Sequence, residues 1–340
     1  MNSRANPVAG GARVLRIPSA GGGSLGLLER RGAALDPRLP PVLLVHGATL
    51  GASLFDLPQP GYSLLRELAD AGRTAFALDI RGFGHSMAGT AIEAPAADNP
   101  PFPRLAQAVE DIGAAVDMIR AREGVAAIDL LGFSWGTVTS CAYAAANAGA
   151  VARLALYAPL YGERNELWLG RIAEPGNQAR LLSSIGAYRL MTQAILLGRW
   201  DEDIGGSDPA RYREPGVAEE VFAQFAALDP GTRSGAEPAF RCPAGALADL
   251  VSVFNGRPLY DPSMLTMPTL LVRGADDTTS TDGDARALLR ALASPQKSYR
   301  VVAPGSHFLL LEKNRGELYK TLLDFLGPQR KAKLRRAASP

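Results

Sequence analysis

The sequence is poor in residues that define several protein classes. Its two cysteines, Cys141 and Cys242, do not make a disulfide framework, and no CxxC or Cys/His cluster suggests zinc. No apolar run reaches the ~20 residues needed to span a bilayer, which excludes insertion as a membrane helix. Residues 1–13 lack the hydrophobic stretch of a secretory signal, so a cytoplasmic protein is expected. Acids are missing from the last eleven residues, where five of the 36 basic residues fall: Arg330, Lys331, Lys333, Arg335 and Arg336. The other 31 against 34 acids leave the body mildly acidic at −3, and the overall +2 does not call for nucleic acid. Histidine is scarce, with only His46, His85 and His307.

What is present fits a globular enzyme-sized chain. Hydrophobic residues make up 47% and charged residues 21%, which excludes disorder over most of the length. At roughly 150 residues per domain, 340 residues allow two domains or one large α/β domain with an insertion. Strands are expected at Ala12–Ser19, Ser24–Arg31, Pro41–Val45, Thr74–Ile80, Ala127–Phe133, Val151–Tyr157, Thr269–Val272 and Tyr299–Val302. Helical spacing marks Tyr62–Ala71, Leu105–Arg122, Gly136–Ala148, Asp282–Ala293 and Leu311–Leu326. The alternation implies an α/β fold: a mostly parallel central sheet with helices on both faces. Between its two parts lie about a hundred residues without strand signals, with helical patches at Ala179–Leu197, Val217–Leu228 and Ala244–Phe254. The expected division is a flexible leader (1–12), a core (13–160 and 265–328), a helical cap or lid (161–264) and a basic, disordered tail (329–340).

The sharpest local signal is Gly132-Phe133-Ser134-Trp135-Gly136, which ends one expected strand and opens an expected helix. An abrupt strand-to-helix turn exposes the middle residue, and the flanking glycines give clearance. A serine hydroxyl is a weak nucleophile and needs a base. His307 is the best placed, in a loop after a late strand; His46 is read as shaping a loop, and His85 lies in the Gly82–Ser86 loop. The base in turn needs an acid, and Asp276 and Asp277, after the strand Thr269–Val272, compete for that place. Cys141 reads as a small core residue, and Cys242 has no evident partner.

The order Ser134…Asp277…His307, with His46-Gly47-Ala48, Asp79-Ile80-Arg81-Gly82-Phe83-Gly84-His85-Ser86, GFSWG, Gly274-Ala275-Asp276-Asp277 and Gly305-Ser306-His307, resembles the α/β-hydrolase superfamily from Arg13 to Leu326. The resemblance implies a Ser134–Asp277–His307 triad, since the family acid sits three residues after the glycine ending its strand. It implies an oxyanion hole from the N–H groups of Trp135 and Ala48, with Thr49 the second choice for the latter. It implies that no metal or organic cofactor is needed. The haloalkane dehalogenases and epoxide hydrolases of this fold carry Asp at the elbow, unlike Ser134.

The expected substrate is a small molecule with an apolar part: a carboxylic ester, lactone or thioester. Carbon–carbon bond hydrolysis, haloperoxidase and hydroxynitrile-lyase chemistry use the same triad and are alternatives. A non-catalytic binding module is disfavoured because no triad member is lost. Tyr161, Trp168 and Trp200 are expected to bind substrate; Tyr157, Phe222, Phe225 and Trp135 are further candidates for an apolar lining. Arg164 or Arg171 could meet a substrate carboxylate. Oligomeric state is not legible in the sequence.

Overall fold

The computed structural model describes residues 11–20, 22–206 and 208–328. Most of the expected leader (1–12) and all of the basic tail (329–340) lie outside the described residues. A hairpin pairs β1 (Arg13–Pro18) antiparallel with β2 (Ser24–Arg31). Strands and helices then alternate through β3 (Val42–Val45), α1 (Leu64–Asp70), β4 (Thr74–Leu78), α2 (Leu105–Glu123), β5 (Ile128–Phe133), α3 (Trp135–Ala146) and β6 (Val151–Tyr157). An insertion follows, carrying α4 (Glu166–Ile172), β7 (Ala173–Glu174), β8 (Asn177–Leu181), β9 (Tyr188–Thr192), α5 (Gln193–Asp203), α6 (Pro209–Tyr212), α7 (Val217–Leu228), β10 (Arg233–Ser234), β11 (Glu237–Pro243) and α8 (Gly245–Phe254). The chain then returns to the sheet through β12 (Thr269–Gly274), α9 (Asp282–Ala291), β13 (Lys297–Val302) and α10 (Arg315–Leu326).

The central sheet has eight strands in the order β1-β2-β4-β3-β5-β6-β12-β13. Only its first two pairings are antiparallel; from β4 onward the neighbours run parallel. Successive side chains of a strand point to opposite faces. In β3, Leu43 and Val45 therefore join a core with α2, α3 and α9, while Val42 and Leu44 join the opposite core with α1 and α10. Both faces being covered explains why this strand reads as an unbroken apolar run. Each such buried leucine contributes roughly 1.5–3 kcal/mol.

Buried charge is paired at the far side of the sheet. Asp129 on β5 accepts from Arg73 at 3.0 Å and Arg153 at 2.5 Å. The same arginines donate to the carbonyls of Leu326 and Gly327, at the end of α10. Cations there complement the helix dipole and tie down the helix that follows the His307 loop.

The insertion carries helices, and it also holds two small antiparallel sheets, β7-β8 and β10-β11-β9, where no strand was expected. The helix expected over Ala179–Leu197 is instead β8, a loop, β9 and the first turn of α5. Thr192 divides them: its side chain caps α5 by accepting from the Ile195 N–H, while its backbone pairs with Ala239. The strand partners of β9 lie some fifty residues away on β11, so local periodicity could not reveal them. Among the described residues no helix is long and apolar enough to cross a membrane.

Candidate active site

β5 delivers Phe133 into a turn so tight that Ser134 has φ 56° and ψ −122°. A non-glycine residue in this region stores about 1–3 kcal/mol of strain. The surrounding backbone enforces it. A Cβ at Gly132 would lie 2.3 Å from the Gly136 carbonyl oxygen, and one at Gly136 would lie 2.4 Å from the Val45 carbonyl oxygen. Both positions therefore need glycine so that β3, β5 and α3 can meet backbone to backbone. The Ser134 N–H donates to the Tyr157 carbonyl at 3.0 Å, which fixes the turn to β6.

Three side chains from three parts of the chain then form one hydrogen-bonded line. Ser134 Oγ lies 2.9 Å from His307 Nε2, and His307 Nδ1 lies 2.9 Å from Asp277 Oδ2. The carboxylate can only accept, which places the ring proton on Nδ1 and leaves Nε2 to receive the serine hydroxyl. Asp277 Oδ1 accepts from the N–H groups of Thr279 and Ser280, each at 2.8 Å. Asp276 points elsewhere: its Oδ2 accepts from Tyr212 and from the Gly305 N–H, both at 3.1 Å. The geometry thus separates the two neighbouring aspartates, one facing the imidazole and the other bracing the loop that carries it.

The other histidines serve the scaffold. His46 Nδ1 lies 2.8 Å from the Gly47 carbonyl, and Nε2 accepts from the Ile80 N–H at 3.2 Å. Burial lowers its pKa below the ordinary value. His85 bonds Asp79 at 2.9 Å. Burial pushes the Asp79 carboxyl up, but the bonds and charge of His85 outweigh it, and the net shift is downward.

Ala48 borders the cavity beside Ser134, and Trp135 is the first residue of α3. Neither backbone N–H has an acceptor among the described residues. The Trp135 side chain turns the other way. It is fully buried, and its indole donates to Asp249 on α8 at 3.2 Å. It therefore lies outside the cavity, contrary to expectation.

Above Ser134 opens a cavity of ≈ 260 Å³. Of the aromatic residues expected to bind substrate, Trp168 lines it; Tyr161 and Trp200 do not. Tyr161 packs against Tyr260, with ring centroids 5.7 Å apart. Trp200 is sealed behind the wall, stacked on Phe308 at 5.0 Å and donating to Glu312 at 2.9 Å. Phe222 and Phe225 face Phe240 inside the insertion, and Tyr157 lies behind His307. Beside Trp168, Phe133 and Phe308, the apolar wall comes from aliphatic residues such as Leu54, Leu196, Leu247 and Leu311. These carry no motif, so only their convergence in space reveals them.

Two polar features were equally illegible. Asp203, at the end of α5, accepts the His307 backbone N–H through Oδ2, and the Thr278 hydroxyl at 2.5 Å through Oδ1. It holds the loops of His307 and Asp277 from the insertion side. The cavity wall also includes three arginines: Arg171, Arg189 and Arg199. Arg164 lies away from it, bonded to Glu166 and Asn255. Among the described residues no group of three or more His, Cys, Asp or Glu could hold a metal.

Residues 40–314 match the family model of the alpha/beta hydrolase fold, and the chain belongs to that family. No curated protein matches the chain. Solved structures share its architecture at low identity. The esterase from Exiguobacterium antarcticum is 16% identical with a TM-score of 0.59, over 92% of this chain and 98% of that one. The thioesterase domain from the curacin biosynthetic pathway is 17% identical with a TM-score of 0.58, over 93% and 99%. E-2-(acetamidomethylene)succinate hydrolase is 19% identical with a TM-score of 0.62, over 93% and 99%. At these identities the likeness speaks for the fold alone.

Proposed function

We propose that the protein is a serine hydrolase that cleaves a carboxylic ester, lactone or thioester through an acyl-enzyme on Ser134. The observation that carries this reading is the line Ser134 Oγ–His307–Asp277, with both contacts at 2.9 Å, at the floor of a mostly apolar cavity. His307 Nε2 takes the hydroxyl proton as Oγ attacks the substrate carbonyl carbon. Asp277 holds the imidazolium in position. The oxyanion forms against the N–H groups of Trp135 and Ala48; losing one such donor typically costs ~10²–10³ in rate. Collapse expels the alcohol or thiol, which leaves with the proton from His307. Water then gives a proton to His307 and attacks the acyl carbon. The second collapse releases the carboxylic acid, and the proton returns to Ser134.

The test is covalent. A fluorophosphonate should label the wild type at Ser134 and leave Ser134→Ala unlabelled, with turnover of p-nitrophenyl esters lost in the same variant. A cleanly purified Ser134→Ala protein that still turns the esters over would remove the reading.

A further inference from the structure

The cavity above Ser134 is lined by three arginines and, among the described residues, by no aspartate or glutamate. Arg171 is neutralised from outside by Glu202 at 2.9 Å, and Arg199 approaches Asp203 at 3.5 Å and donates to Thr279 at 2.7 Å. Arg189, on β9, has no carboxylate within ion-pair distance among the described residues. Its one side-chain hydrogen bond there runs from Nη2 to Cys242 Sγ at 3.5 Å, and its Nε, like the Nη1 of Arg171 and that of Arg199, is sealed from solvent without an acceptor. Half-buried among Met191, Ile195 and other apolar side chains, it is a charge that the fold leaves uncompensated. Such a group is costly to bury, and that cost falls when an anion enters. Its position is also specific. The Cys242 thiol that meets Arg189 lies against the carbonyls of Ala48 at 3.4 Å and Thr49 at 3.5 Å. The charge therefore stands on the side of the cavity formed by the loop after β3.

We propose that the cavity takes a carboxylate-bearing acyl compound, with the carboxylate on Arg189, the carbon skeleton on the aliphatic wall and the scissile carbonyl at Ser134. A planar guanidinium matches a planar carboxylate through two parallel hydrogen bonds. The low-dielectric wall strengthens that contact and leaves a neutral analogue with an unpaired charge opposite it. Arg171 and Arg199, both over the Trp168 ring at 5.7 and 4.8 Å, add to the positive field without being the docking point. This assignment rests on the hydrolase reading of the same cavity, and the two can fail separately.

The experiment uses matched ligands in the Ser134→Ala background: the monomethyl and dimethyl esters of succinate, glutarate and adipate, titrated by calorimetry. At least one monomethyl ester should bind about tenfold or more tighter than its dimethyl partner. Adding Arg189→Gln should bring the pair within about twofold, Arg189→Lys, which keeps the charge but not the two-pronged fork, should leave an intermediate preference, and 1 M salt should weaken it. If Arg189→Gln does not fold, the lysine variant and the salt series decide. Equal binding of each pair, or a preference that survives in a folded Arg189→Gln protein, overturns the assignment. Hydrolysis by the wild type is followed in parallel. Turnover of both esters without preference removes the anion assignment and leaves the hydrolase reading. Selective anion binding without any turnover does the reverse.

Discussion

Tyr157 and His307 are joined through the tyrosine hydroxyl, which donates to the His307 carbonyl at 3.0 Å. The same hydroxyl accepts from the Leu310 N–H at 3.1 Å, and the Tyr157 carbonyl accepts the Ser134 N–H at 3.0 Å. One residue at the end of β6 thus sets the backbone of both candidate nucleophile and candidate base. Burial raises the Tyr157 pKa well above its ordinary value, so the hydroxyl stays a donor. Tyr157→Phe strands a buried carbonyl and a buried N–H. It should lower stability by about 1–3 kcal/mol, read from urea unfolding. Ester turnover should fall with it. An unchanged unfolding midpoint would show that the hydroxyl holds nothing.

Asp277 and Asp276 should separate by function. Asp277→Asn removes the acceptor that fixes the His307 tautomer, and kcat should fall by about 10³–10⁴-fold. Asp276→Asn touches only the bracing contacts with Tyr212 and Gly305, and its loss should be far smaller. Parallel ester assays of the two variants check this, and equal losses would contradict the geometry.

Gly136→Ala should destabilise the protein by about 1–3 kcal/mol or more, because its methyl group would meet a backbone oxygen of β3 that cannot turn aside. Thermal unfolding of the variant is the measurement. A melting temperature equal to the wild type would mean that β3 and α3 can part without cost.

His46 sets a pH dependence of stability. Its folded pKa is lowered by burial, so below its ordinary value near 6.5 the unfolded chain binds a proton that the native state does not. Stability attributable to this group is complete above about pH 6.5 and declines as pH falls below it, by at most about 1.4 kcal/mol per pH unit for one proton. His46→Asn retains a donor and an acceptor without titrating. The wild-type melting temperature should drop more steeply than that of the variant between pH 6.5 and 5. Parallel curves would refute the assignment.

Much of the architecture was legible because its signals are local. The run Pro41–Val45 reads as a doubly buried strand, and Val42–Val45 occupies the interior of the sheet. The GFSWG turn carries its own glycine clearance. Asp277 was legible only through the position after Gly274 that the family resemblance implies; the structure separates it from Asp276 by what each carboxylate touches. The insertion was less legible. Tyr161 and Trp200 have the right chemistry for a lining but pack into other walls, because an aromatic residue reports apolarity and not direction. β9 and β11 pair across a long sequence separation, so no window of neighbouring residues contains the pattern.

The sequence by itself determined an alternating α/β chain, the serine elbow, and the single late histidine that could serve it. These depend on backbone conformation and residue type along short stretches, which composition and spacing express directly. Tertiary structure alone decided which aspartate faces His307, that Asp203 holds the His307 backbone, and that Arg189 reaches the cavity with no carboxylate within ion-pair distance among the described residues. Each of these joins groups that are remote in sequence or neighbours that diverge in space. Their distance and burial set the electrostatics, and neither exists until the chain has folded.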